Sequence, residues 1–99
     1  MKPPACEEIK NVLRRHRDGI AREYGVAEIG IFGSCARDEA TESSDIDILV
    51  EFNRSIGFFK FLELEERLSN WLGGKVDLVS KPALKPNIGR YILEEVVML

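Results

Sequence analysis

Asp45 and Asp47 stand one residue apart in the run Ser44-Asp45-Ile46-Asp47-Ile48-Leu49-Val50. If that run is extended, side chains alternate between faces, and the two carboxylates emerge together with Cα atoms about 7 Å apart. Ile46 and Ile48 then point the other way, toward a core. Asp77, in Val76-Asp77-Leu78-Val79, has the same alternating surroundings and adds a third carboxylate if its strand lies beside the first. Three such groups repel one another unless a cation sits among them. Hard oxygen donors suit Mg²⁺, which keeps waters and substrate phosphates in its shell, so an open carboxylate site fits a nucleoside triphosphate. Two Mg²⁺ ions there can align an attacking oxygen and a leaving pyrophosphate.

A triphosphate needs a receptor, and Gly33-Ser34 follows a short apolar segment, Glu28 to Phe32. Glycine lets the backbone approach closely, serine adds a hydroxyl, and N–H groups at a following helix start favour an anion. Arg37, three residues on, falls on the same side of that helix and can meet phosphate oxygens with its planar fork. Each part has a plainer reading. Gly-Ser after a strand is commonly a turn with a helix cap, Asp-x-Asp is commonly a pair of solvated residues, and Arg37 has Glu39 as a neighbour. The joint order of strand, Gly-Ser, short helix, loop, Ser-Asp-Ile-Asp strand, helix and Val-Asp strand is far more specific than its members.

The elements that must position these residues follow from periodicity. Ile9, Val12, Leu13, Ile20, Ala21 and Tyr24 keep the three-and-four spacing of one helix face from Cys6 to Tyr24, with Gly25 as its stop. Gly19 weakens that helix by about 1 kcal/mol relative to alanine. Glu28 to Phe32 and Asp45 to Phe52 read as neighbouring strands, with a short helix starting at Ser34 and a polar loop from Asp38 to Ser44. Phe58 to Leu72 reads as an amphipathic helix with Phe58 and Phe61 on its apolar stripe and Phe59 off it, closed by Gly73-Gly74. Lys75 to Ser80 alternates as a third strand, and Asn87 to Val96 reads as a last helix with Ile88, Ile92 and Val96 inward. His16 is expected in solvent and Trp71 in the core. For the apolar end Val96-Val97-Met98-Leu99, contact with a partner and packing on its own sheet both stand open.

Composition narrows the function classes. The 99 residues are 44% hydrophobic and 31% charged, and describe one soluble domain over residues 1–99. A net charge of −3 gives no overall positive field to hold nucleic acid by its phosphates, so direct nucleic-acid binding is not expected. Two cysteines, Cys6 and Cys35, and one histidine are too few for a structural zinc site. No apolar run reaches the ~20 residues of a membrane span, and the start lacks the apolar stretch of a signal peptide, which points to the cytoplasm.

The motifs resemble those of the minimal nucleotidyltransferases (MNT) of the DNA polymerase β-like superfamily. The resemblance rests on Gly33-Ser34-Cys35-Ala36-Arg37, Ser44 to Val50 and Val76 to Val79, and it covers nearly the whole chain. It implies an α/β (α+β) fold, a small mixed sheet of about three or more strands flanked by helices. It also implies that Gly33 and Ser34 contact nucleotide phosphates, and that Asp45, Asp47 and Asp77 are the metal-binding and catalytic carboxylates. Asp38 departs from the pattern, standing where many relatives have glycine, and its charge would weaken nucleotide affinity. Such proteins are similar to the antitoxins of HEPN/MNT toxin–antitoxin pairs. The resemblance therefore implies a Mg²⁺-dependent protein adenylyltransferase that uses ATP and modifies a tyrosine of a cognate HEPN ribonuclease toxin, which supplies the acceptor that so short a chain lacks. The competing expectation is an antitoxin that binds its toxin and transfers nothing, docking through Phe58, Phe59, Phe61 and the apolar end. Homodimer and hetero-oligomer with the toxin both stay open.

Overall fold

A computed structural model describes residues 6–33, 45–81 and 96–99. Helix α1 spans Cys6–Tyr24, strand β1 Val26–Phe32, strand β2 Ile46–Phe52, helix α2 Gly57–Leu72, strand β3 Val76–Ser80 and strand β4 Val97–Met98. The strands form one mixed sheet in the order β3-β2-β1-β4. β1 runs antiparallel to both β2 and β4, and β3 runs parallel to β2. A parallel pair cannot be closed by a tight turn. α2 is the crossover that carries the chain from the end of β2 back to the start of β3.

Both helices cover the same face of the sheet. Ile9, Leu13, Ile20 and Tyr24 of α1 and Leu64, Leu68 and Leu72 of α2 join Ile29, Ile31, Ile46, Ile48, Val50, Val76 and Leu78 in one buried cluster. Full burial of each such side chain contributes about 1.5–3 kcal/mol. Two glycines turn the helices into the strands that follow. Gly25, at φ +70°, donates its N–H to Ala21 O at 3.0 Å, and Gly73, at φ +68°, donates to Ser69 O at 2.9 Å. Among the described residues, no helix is long and apolar enough to cross a membrane.

Of the two alternatives left open for the apolar end, packing on its own sheet is the one observed: Val97 and Met98 form a strand against Ile31 and Gly30. A Cβ at Gly30 would meet Met98 Sδ at 2.8 Å and Val97 O at 2.9 Å, so the absent side chain makes room for β4. Other expectations are corrected. Phe58 is 70% exposed and is not core. It lies roughly a quarter-turn off the axis of Leu64, Leu68 and Leu72, whereas Phe61 packs against the core and meets Phe52 edge-on at 6.2 Å. His16 is half-buried and stacks on Trp71 with ring centroids 3.9 Å apart, while the Arg67 guanidinium lies 5.1 Å over the same indole. Trp71 packs against the edge of the core rather than within it. The expected helices from Ser34 and from Asn87 fall outside the described residues, and Val96 itself is in neither helix nor strand.

The helices are tied to each other through a polar tip on a buried ring. Tyr24 is almost wholly buried, and its hydroxyl donates to Glu63 Oε2 at 2.8 Å and accepts from Arg67 Nη1 at 3.1 Å. Arg67 also donates to Glu23 Oε2 at 2.6 Å. Burial pushes the Tyr24 phenol above its ordinary 10.0, helped by Glu63 and opposed by Arg67. The bond from Tyr24 holds Glu63 below its ordinary 4.5. A raised acid is stabilising while protonated, so the Tyr24 contribution is complete below pH 10 and fades as pH climbs past it; the Glu63 contribution is complete above the ordinary carboxylate range and fades as pH falls through it. Of the two tyrosines in the chain, one should therefore titrate late in an ultraviolet absorbance titration, and Tyr24→Phe should delete that step while lowering stability by about 1 kcal/mol. A second test concerns α1. A Cβ at the exposed Gly19 meets nothing within 4 Å, so Gly19→Ala should stabilise the protein by about 1 kcal/mol and raise Tm by about 4–8 °C in a thermal melt.

Candidate active site

The end of β1 and the starts of β2 and β3 lie at one end of the sheet. Phe32 is the register partner of Asp47, and Asp47 is the register partner of Asp77. Ile46, Ile48, Val76 and Leu78 fill the helix-covered core, so alternation sends Asp47 and Asp77 to the opposite face, side by side on neighbouring strands. The local sequence dictates this placement: a one-residue slip of either strand would exchange its buried aliphatics for aspartate.

Gly33 follows β1 directly with φ +70°, a backbone conformation that favours glycine. A Cβ built there would overlap Asp47 Oδ2 and lie 3.0 Å from Asp47 Cγ. Gly33 is therefore required twice, by its own backbone and by the carboxylate packed against it. Ser34 and Arg37, with Asp38 and Cys35, lie outside the described residues.

Asp45 is exposed just ahead of β2, and its carboxylate faces Lys75 Nζ at 3.9 Å. Among the described residues, no three His, Cys, Asp or Glu side chains are gathered closely enough to hold a metal ion. The structure thus brings Asp47 and Asp77 together with Gly33, and sets Asp45 against a cation of its own; like charges repel, and Lys75 is the nearer counter-charge. Sequence reasoning missed Lys75. The signal was present in its position, since the residue before β3 is the neighbour of the residue before β2 once the strands are known to be parallel: Ile46 N–H donates to Lys75 O at 2.8 Å. Beyond Asp47 the same face continues through Leu49 to Glu51, beside an open hollow of about 210 Å³ lined by Glu28, Leu49, Val50, Glu51, Lys81 and Met98. Lys81 Nζ pairs with Glu51 there at 3.3 Å.

A mixed sheet backed by helices on one face, with carboxylates paired across a parallel ladder on the other and a glycine closing on them, is the arrangement of a nucleotidyltransferase. Residues 13–99 match the nucleotidyltransferase domain family, and the chain belongs to it; its reaction class is nucleotidyl transfer. The chain is 50% identical over 91 residues, 92% of each chain, to "protein adenylyltransferase MntA" of Thermococcus cleftensis. A solved structure bearing the name of a minimal nucleotidyltransferase superposes with a TM-score of 0.85 at 32% identity, covering 97% of both chains. A variant of an MntA toxin–antitoxin complex matches with a TM-score of 0.67 at 25% identity, over 94% of this chain and 69% of that one.

Gly33 supplies the test of this geometry. Gly33→Ala adds about 1–2 kcal/mol of left-handed strain and forces Asp47 aside. Thermal unfolding should show the lost stability.

Proposed function

We propose that this chain is a Mg²⁺-dependent protein adenylyltransferase and the antitoxin of a toxin–antitoxin pair, moving AMP from ATP to a tyrosine of a cognate HEPN ribonuclease toxin. The observation that carries the reading is the pairing of Asp47 with Asp77, with Gly33 pressed against Asp47, in a chain so similar to a protein named for adenylyl transfer. The cytoplasm, where ATP and Mg²⁺ are supplied, is the compartment this chemistry needs.

The donor set fits Mg²⁺, since it consists of carboxylate oxygens, and Gly33 lets the backbone pack where a Cβ would overlap Asp47 Oδ2. Asp45, Asp47 and Asp77 are the residues that would hold two ions. When bound, Mg²⁺ neutralises triphosphate charge and favours the departure of pyrophosphate. The protein's own groups do the rest. Gly33 and Ser34 bind phosphate oxygens, Arg37 adds a fixed positive fork, and Asp77 takes the proton of the attacking tyrosine hydroxyl. The tyrosine oxygen bonds to the α-phosphorus as the bond from that phosphorus to the bridging oxygen of pyrophosphate breaks. The products are O-adenylyl tyrosine, pyrophosphate and the proton on Asp77.

The protein, ATP, Mg²⁺ and the cognate toxin should give toxin heavier by whole AMP residues in intact mass spectrometry. Asp47→Asn or Asp77→Asn should slow that gain by about a hundredfold or more without lowering the unfolding midpoint. No mass gain, with the toxin still neutralised by an Asp45→Ala, Asp47→Ala double variant, would favour the binding-only antitoxin. The exposed Phe58 and Phe59, whose rings meet edge to face at 6.1 Å, offer that reading its contact surface.

A further inference from the structure

Among the described residues, β3 is the outermost strand on its side of the sheet, and two of its outward N–H groups are taken by side chains. In a parallel ladder alternate residues donate toward the neighbouring strand and the others point away from it. On β3 the outward donors at residues 76 and 78 are taken by side chains of α2. Val76 N–H donates to Ser69 Oγ at 3.1 Å, and Leu78 N–H donates to Glu65 Oε2 at 3.0 Å. These are the two residues that flank Asp77. Ser69 is itself fixed, because its hydroxyl donates to Glu65 O at 3.0 Å.

The spacing makes this pair a gauge of register. Four residues of helix advance about 6 Å, and two residues of strand advance about 6.6 Å. With α2 and β3 running in opposite directions, Ser69 meets the earlier strand residue and Glu65 the later one. Slipping β3 by one residue presents the wrong set of N–H groups to both acceptors. The aliphatic contacts of Val76 and Leu78 select the same register, but being non-directional they hold the strand less tightly against small slides within it.

We propose that Glu65 and Ser69 are positioning residues for Asp77: by holding the N–H groups on both sides of it, they set its carboxylate level with Asp47. The proposal rests on the reading of Asp77 as a working residue of the site. Supporting groups of this kind typically contribute ten- to a hundredfold to metal affinity or activity.

The test uses the full chain with Glu65→Met, Glu65→Gln and Ser69→Ala, with Glu66→Met as a control on the neighbouring exposed position and Asp77→Asn as the reference. Glu65→Met should lose amide hydrogen-exchange protection at Leu78. It should also weaken Mn²⁺ binding in the presence of a non-hydrolysable ATP analogue by about tenfold, and lower kcat for AMP transfer by about tenfold with KM for ATP little changed. Glu65→Gln keeps an acceptor oxygen and should recover most of each loss; Ser69→Ala should show a milder form at Val76 and stay folded if Glu65→Met does not. Glu66→Met should match the unaltered protein. If Asp77→Asn is crippled while Glu65→Met and Ser69→Ala keep normal Mn²⁺ binding and kcat, the positioning role is overturned and the reading of Asp77 survives. If Asp77→Asn itself behaves as the unaltered protein, that reading fails and the proposal falls with it.

Discussion

Asp47 beside Asp77 is an arrangement that a sheet does not adopt for its own sake. Neighbouring strands lie about 4.8 Å apart, and two unit charges near 5 Å repel by about 1 kcal/mol in water and about 3 kcal/mol at a protein surface. The opposite face of the same strands offsets it. Ile46, Ile48 and Val50 on β2 and Val76 and Leu78 on β3 are all buried under the helices, and full burial of just one or two such side chains matches the repulsion. Strand alternation makes the two effects inseparable: the register that buries the aliphatics is the one that sets the carboxylates side by side.

The connectivity follows from the need to bring the right strand ends together. β1 antiparallel to β2 puts the end of one at the start of the other, so Gly33 arrives at Asp47. β3 parallel to β2 puts both starts at that same end, which demands a return journey the length of the sheet. α2 makes that journey. The three segments of the candidate site therefore come from the two ends of the connection between β1 and β2 and the far end of one crossover, with the core on the reverse face left free of charged groups among the described residues.

Most of this was legible in the sequence because it depends on short-range periodicity. α1, α2 and the three longer strands announce themselves by apolar spacing, and Gly25 and Gly73 mark the helix ends. The Asp45-Ile46-Asp47-Ile48 alternation gives away a two-faced strand. What depended on tertiary neighbours was not legible. Two residues of β4 are too few for a pattern, and they become a strand only because Gly30 leaves them room. Phe58 looks like a core residue until the stripe is seen to run through Leu64, Leu68 and Leu72. His16 sits among arginines and reads as solvated, yet Trp71, fifty-five positions away, gives its ring a surface to stack on. The pairing of Asp45 with Lys75 required the parallel direction of β3, which no local pattern reveals.

A helix lying on a sheet by apolar contacts alone is free to roll and slide by small amounts, because such contacts are non-directional. α2 is denied that freedom on both flanks. Toward α1, Glu63 and Arg67 bind the Tyr24 hydroxyl, and Arg67 reaches Glu23 as well. Toward the sheet edge, Glu65 and Ser69 take N–H groups of β3. Hydrogen bonds weaken steeply with angle and distance, so a roll that improves one flank costs the other. The stripe of Leu64, Leu68 and Leu72 supplies the stability, and the polar residues on either side supply the position. Through that position the buried tyrosine of α1 is linked, across the whole helical layer, to the strand that carries Asp77.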